Sequence, residues 1–156
     1  MQITISTLMV LSLLLLPGAV GAQSQTQAMQ FDFPIDQTQY DQCTNEFVHV
    51  TGQGHGVMHF FFDSSGGFHV TDIITTMGPL SGVGIPSGNL YKANETVINT
   101  SNLKSPQFEF TFVMSEVLIS QGPAPNLVSH TTTHFTVTPS GIPTANVLNM
   151  KTECSG

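Results

Sequence analysis

An all-β fold is what this sequence predicts: one antiparallel β-barrel or β-sandwich of about eight strands behind an N-terminal signal peptide. Three observations predict it. Gln107 to Ser120 (QFEFTFVMSEVLIS) alternates, with Phe108, Phe110, Phe112 and Met114 on one side of an extended chain and Val113, Val117 and Ile119 on the other. Turn signals such as Asp63-Ser-Ser-Gly-Gly67, Gln121-Gly-Pro-Ala-Pro-Asn126 and Pro139-Ser-Gly-Ile-Pro143 recur between apolar runs. Beyond the first two dozen residues no stretch carries an amphipathic helical period and no segment repeats.

The run Gln107 to Ser120 is apolar on both faces, which suits a strand in the middle of a sheet. Before it, Phe31 to Ile35 alternates but meets Pro34, so it reads as a short edge strand at most, with Asp36 to Gln42 a polar connector. Glu46 to Thr51 and Val57 to Phe62 read as two strands joined by a turn at Gly52-Gln-Gly-His-Gly56. Phe68 to Thr75 returns as a partner strand after the Asp63–Gly67 turn. Met77 to Asn89 is rich in Gly, Pro and Ser and reads as an ordered surface loop; it lacks the lysine and following helix of a phosphate loop. Leu90 to Asn99 holds a short strand pair or edge, LYKA and TVIN. Leu127 to Thr138 and Thr144 to Cys154 complete the set.

Leu8 to Leu16 is an apolar run followed by Pro17-Gly18 and Ala19-Val-Gly-Ala22, the form of a signal peptide over residues 1–22. The run is shorter than the ~20 residues a bilayer span requires, and its n-region has no Lys or Arg. The expected product is secreted or periplasmic. It begins at Gln23 with a polar, disordered stretch over 23–30 and a β domain over 31–156 that has no membrane span.

The chain has 156 residues, enough for one domain with a sizeable core. Three lysines stand against ten acidic residues, a net charge of −7, which argues against a phosphate-binding nucleic-acid surface and against docking on anionic lipid. The absence of Trp counts against a broad aromatic carbohydrate platform. The two cysteines, Cys43 and Cys154, flank nearly the whole β region, and in an exported chain they predict a single disulfide. Closing a loop of about 110 residues contributes on the order of 4–5 kcal/mol in the chain-entropy account. It also implies that the first and last strands are neighbours.

Cys43-x-x-Glu46-x-Val48, Gly52-x-x-His55, Gly82-x-Gly84-x-x-x-Gly88-x-x-Tyr91, Phe108-x-Phe110, Gly122-Pro123-x-x-Asn126, His134-x-Thr136-Val137 and Cys154 span most of the mature chain. In these the sequence resembles a group of small secreted bacterial all-β proteins of uncharacterised function. The resemblance implies a self-contained exported β domain and brings no activity with it.

Six histidines stand out beside three lysines. His49, His59 and His69 are ten residues apart, and a three-stranded meander would bring them together across adjacent strands, where zinc accepts three imidazoles and a water. Parity sets them with Phe47, Val57, Phe61 and Thr71, opposite a core face of Met58, Phe60, Phe62, Phe68 and Val70, so the competing reading is a row of exposed outward histidines. His130 and His134 lie about 13 Å apart along a strand and read as outward polar positions. Glu109 and Glu116 fall on opposite faces, so they form no catalytic pair, and no G-x-S-x-G elbow is present. Asn94-Glu-Thr96 and Asn99-Thr-Ser101 are glycosylation sequons, which matter only in a eukaryotic host.

The function these features indicate is an exported, non-catalytic module with no cofactor. Its eleven phenylalanines either fill the interior or line a cavity for a small apolar ligand. The alternative is a secreted metal-dependent hydrolase or lyase with zinc on the histidine row.

Overall fold

The computed structural model describes residues 26–104 and 107–156; the signal peptide and cleavage position expected over 1–22 lie outside them. Eight strands follow in order: β1 Gln27–Asp41, β2 Glu46–Phe62, β3 Phe68–Thr76, β4 Leu80–Ile85, β5 Leu90–Lys104, β6 Gln107–Ser120, β7 Asn126–Val137 and β8 Pro143–Ser155. All pair antiparallel in one sheet of order β1-β2-β3-β5-β6-β7-β8, with β4 between β2 and β5. β3 and β4 occupy one position end to end. β2 pairs β4 through Phe47–Thr51 and β3 through Gly54–Phe62, and the short break at Met77-Gly78-Pro79 separates them. The stretch expected to be a surface loop, Met77 to Asn89, thus contains a strand. Its alternating burial, with Leu80, Gly82 and Gly84 in and Ser81, Val83 and Ile85 out, was masked by glycines that contribute no side chain to a period-2 pattern.

The sequence expectation breaks most clearly at the first two strands. β1 is fifteen residues long rather than five, and it includes Gln27–Gln30, expected to be disordered, and Asp36–Asp41, expected to be a connector. Pro34 is tolerated because β1 is an edge strand and its missing N–H removes nothing from a ladder on the open side. β2 runs straight through Gly52–Gly56, where a turn was expected. The cause is cross-strand packing. Phe31, Phe33 and Ile35 pair directly with Gly56, Gly54 and Gly52, and the rings lie over the bare glycine backbone. A Cβ on Gly54 would sit 2.5 Å from Phe33 Cζ, and one on Gly52 2.5 Å from Leu80 Cδ2. These glycines mark close approach of side chains rather than a reversal of the chain.

The ladder is continuous from β1 to β8 and does not close between them among the described residues. The two ends are tied instead by the Cys43–Cys154 disulfide, Cα–Cα 5.6 Å, as the cysteine count predicts. Asp41, fully buried, builds the turn that presents Cys43: its Oδ1 accepts the Cys43 N–H at 2.8 Å and its Oδ2 the Thr44 hydroxyl at 2.8 Å. At the same end Val48, Val50, Leu80, Tyr91, Ala93, Leu118 and Leu127 form a packed core, flanked by Ile35, Cys43 and Ala124. The sheet curls enough for β1 to bond across the interior to β5 and β6, through Gln37–Glu95 and Gln39–Glu116.

Candidate functional site

Register and burial together assign each side chain to the inner or outer surface of this curled sheet. Phe47 and Phe61 face outward, and the other nine of the eleven phenylalanines face inward, all on the side of the core away from the disulfide. None of the eleven is fully buried. Their ring pairs join neighbours on one wall: Phe31–Phe33 at 5.8 Å, Phe62–Phe68 at 4.8 Å, Phe60–Phe68 at 6.3 Å, Phe108–Phe135 at 5.6 Å and Phe110–Phe135 at 5.2 Å. Among the described residues no ring pair links the β1–β3 wall to the β6–β7 wall. At the rim beside these rings a shallow depression of about 550 Å³ is lined by Gly66, Leu103, Lys104, Phe108, Thr138 and Pro139.

Between the aromatic walls and the packed core runs a polar row. Glu95 on β5 pairs directly with Glu116 on β6, Glu116 with Ser129 on β7, and Ser129 with Thr152 on β8. Gln37 Nε2 donates to Glu95 Oε2 at 3.2 Å, and Gln39 Nε2 donates to Glu116 Oε1. Burial, then the neighbouring charges of Glu95 and Asp41, push the Glu116 carboxyl up to about 7. Burial also raises Glu95, against the Gln37 hydrogen bond. Deeper still, Tyr91 Oη donates to Glu46 Oε1 at 3.0 Å. A hydrogen bond from Ser87 first of all, with others from Tyr91 and Asn89, holds Glu46 below the usual carboxylate range despite the cost of burial.

The histidines are arranged differently from the expected row. His49 and His59 lie on the same strand, β2, ten residues or roughly 33 Å apart, because the turn expected between them does not exist. His59 faces Thr71, so His69 is its diagonal neighbour, and no third histidine joins them. No group of three or more His, Cys, Asp or Glu able to hold a metal ion occurs among the described residues. The outward parity expected for the trio does hold. His49 is bonded to Asp36 at 2.7 Å and His55 to Asp32 at 2.6 Å, both across the β1–β2 ladder. His130 and His134 are also outward, bonded across to Ser115 and Thr111.

His69 is the most constrained of them. Its Nε2 meets Asp63 at 3.0 Å, its Nδ1 meets Asn102 Oδ1 at 2.8 Å, and its ring stacks on Phe61 with centroids 4.6 Å apart. Both nitrogens face acceptors, so the protonated imidazole is favoured. The hydrogen bond to Asp63, then that to Asn102, raises His69 above 6.5, and Asp63 is correspondingly lowered. The raised group contributes stability that is fully present below about 6.5 and is lost as pH rises through its folded value. In an NMR titration the His69 midpoint is expected above 6.5 and should fall in Asp63→Asn; a native midpoint at or below 6.5 would contradict this.

Sequence reasoning missed Glu95 as a partner for Glu116. The available signal was the alternation Tyr91, Ala93, Glu95, Val97, all inward on one fifteen-residue strand, which the split into LYKA and TVIN concealed. No protein-family model matches the chain, and neither a curated protein nor a solved structure matches it.

Proposed function

We propose that the protein is an exported, non-catalytic module, secreted or periplasmic, that binds a small apolar ligand between its aromatic walls. The observation that carries this reading is the placement of nine inward phenylalanines of which none is fully buried, while a separate packed core without phenylalanine holds the opposite end of the fold. Rings that only filled an interior would be covered by one another; these pair along each wall and not across. Concave, mostly apolar surfaces with a few convergent polar groups are the usual form of small-molecule sites. The Cys43–Cys154 bridge supports an oxidising compartment, and the residues 1–22 support export.

Diphenylhexatriene, a hydrocarbon fluorophore with no polar head, tests the walls alone. Saturable binding with an emission gain is expected. Phe110→Ala should weaken it by roughly tenfold, about 1.4 kcal/mol, and outward Phe47→Ala should leave it unchanged. Absence of saturable binding, or equal damage from the two substitutions, would reject the site.

A further inference from the structure

The geometry points to a cationic, amine-headed apolar molecule as the ligand class, with its chain between the aromatic walls and its ammonium group at Glu95 and Glu116. This rests on the apolar site proposed above and adds its head-group chemistry. The first support is the distribution of charge. The charged side chains on the inner surface are Asp41 on β1, Glu46 on β2, Asp72 on β3, Glu95 on β5 and Glu116 on β6, all acidic. All six histidines lie on outward positions, as do Lys92, Lys104 and Lys151, and β4, β7 and β8 present no charged group inward. Among the described residues the interior therefore has negative charge and no cation of its own to balance it.

The pair has spare acceptor capacity. Direct cross-strand partners have Cβ atoms ~4.5–5.5 Å apart, so the two carboxylates lie side by side. Gln37 and Gln39 each supply one of them with a single neutral donor. A carboxylate can accept several more. An independent observation comes from β7. Thr131, 6% exposed, faces inward one row from the carboxylates, and its Oγ1 has no hydrogen-bond partner. Thr152 Oγ1, at the end of the Glu95–Glu116–Ser129 row, also has none. A primary ammonium brings three donors, enough for both carboxylates and one hydroxyl. The aromatic walls suit the same class, since ring faces attract cations as well as apolar chains.

The spacing suits an amphiphile. Phe112 and Phe110 lie four and six residues from Glu116 on the same face of β6, roughly 13 and 20 Å along the strand. With Glu116 pushed up to about 7, its carboxyl is about half protonated at pH 7 before ligand arrives. An arriving ammonium favours two ionised carboxylates, so the proton leaves to solvent as the amine binds.

Calorimetric titration of the native chain with decylamine, decanol and decanoate, each below its aggregation concentration, separates the possibilities. Decylamine is expected to bind at least tenfold more tightly than decanol, with decanoate weakest. Its affinity should rise from pH 6 to pH 8 with proton release visible as a buffer-dependent heat. Glu116→Gln and Glu95→Gln, both near-isosteric, should each bring decylamine to within about threefold of decanol while decanol binding persists. Outward Glu109→Gln should preserve the preference, which excludes attraction to the overall negative charge. Equal binding of decylamine and decanol to the native chain, or tighter decanoate, overturns the head-group assignment and leaves the apolar site standing. Binding of none of the three removes the apolar site itself.

Discussion

Replacing both Cys43 and Cys154 by serine, or reducing the bridge, is expected to lower the melting temperature by roughly 10 °C or more. The bridge links positions 111 residues apart. Cross-linking over that span removes denatured-state entropy worth on the order of 4–5 kcal/mol, and each kcal/mol moves the midpoint by roughly 2–8 °C for domains of this size range. The architecture makes a large value reasonable. β1 and β8 share no ladder, so no alternative set of backbone hydrogen bonds holds the two edges together once the sulfurs separate. The bridge also fixes the β1–β2 turn, whose Cys43 and Thr44 are bonded to buried Asp41. Differential scanning calorimetry of the oxidised and doubly substituted chains gives the answer directly, and coincident melts would show that the bridge is thermodynamically idle.

The second large effect is a stability that declines toward neutral pH. Glu116 ordinarily titrates near 4.5 and is raised to about 7 in the fold. The folded state therefore binds its proton more tightly than the unfolded state. The stabilisation is fully present below about 4.5 and is lost as pH rises through about 7. At 1.36 kcal/mol per pKa unit, and discounted because Glu116 is only partly buried, the loss is about 2–3 kcal/mol. Glu95 shifts in the same direction. Below 4.5 the lowered Glu46 and Asp63 oppose further gain, since their contributions disappear as they are protonated. Maximum stability is expected in mild acid. Glu116→Gln should flatten the profile, raising stability at pH 8 by about 2 kcal/mol and changing little at pH 4.5. A native profile that is level between pH 4.5 and 8, or a Glu116→Gln chain less stable at pH 8, would refute the buried-carboxylate account.

Much of this fold could be read from alternation alone. The inward set Phe108, Phe110, Phe112 and Met114, the outward histidines and the pairing of the cysteines all follow from period-2 patterning and from the number of cysteines. Where glycine occupies inward positions the pattern fails. Gly52, Gly54 and Gly56 resemble a turn in one dimension, and only the opposing Phe31, Phe33 and Ile35, supplied by a strand some twenty residues away, show why the chain continues straight. The histidine row failed for the same reason, because it depended on that turn. The carboxylate pair was illegible for another: a pair between adjacent strands depends on register, and register was undefined while β5 was divided. The alternation Tyr91, Ala93, Glu95, Val97 marks Glu95 as interior only once β5 is taken as one strand, and its partner only once the β5–β6 register is known.

The order of the strands also constrains how the chain reaches this state. Apart from β2–β4 and β3–β5, which flank the broken position, each ladder joins strands consecutive in the chain. Such a sheet can grow one hairpin at a time, each hairpin closing on a microsecond scale and offering its free edge to the next. Links over longer separations, Gln37–Glu95, Gln39–Glu116 and finally Cys43–Cys154, require most of the strands to be in place before their ends can meet. Loop-closure entropy then places oxidation last. The cysteines would be oxidised after the sheet has assembled, so the bond retains a finished sheet without having directed its formation.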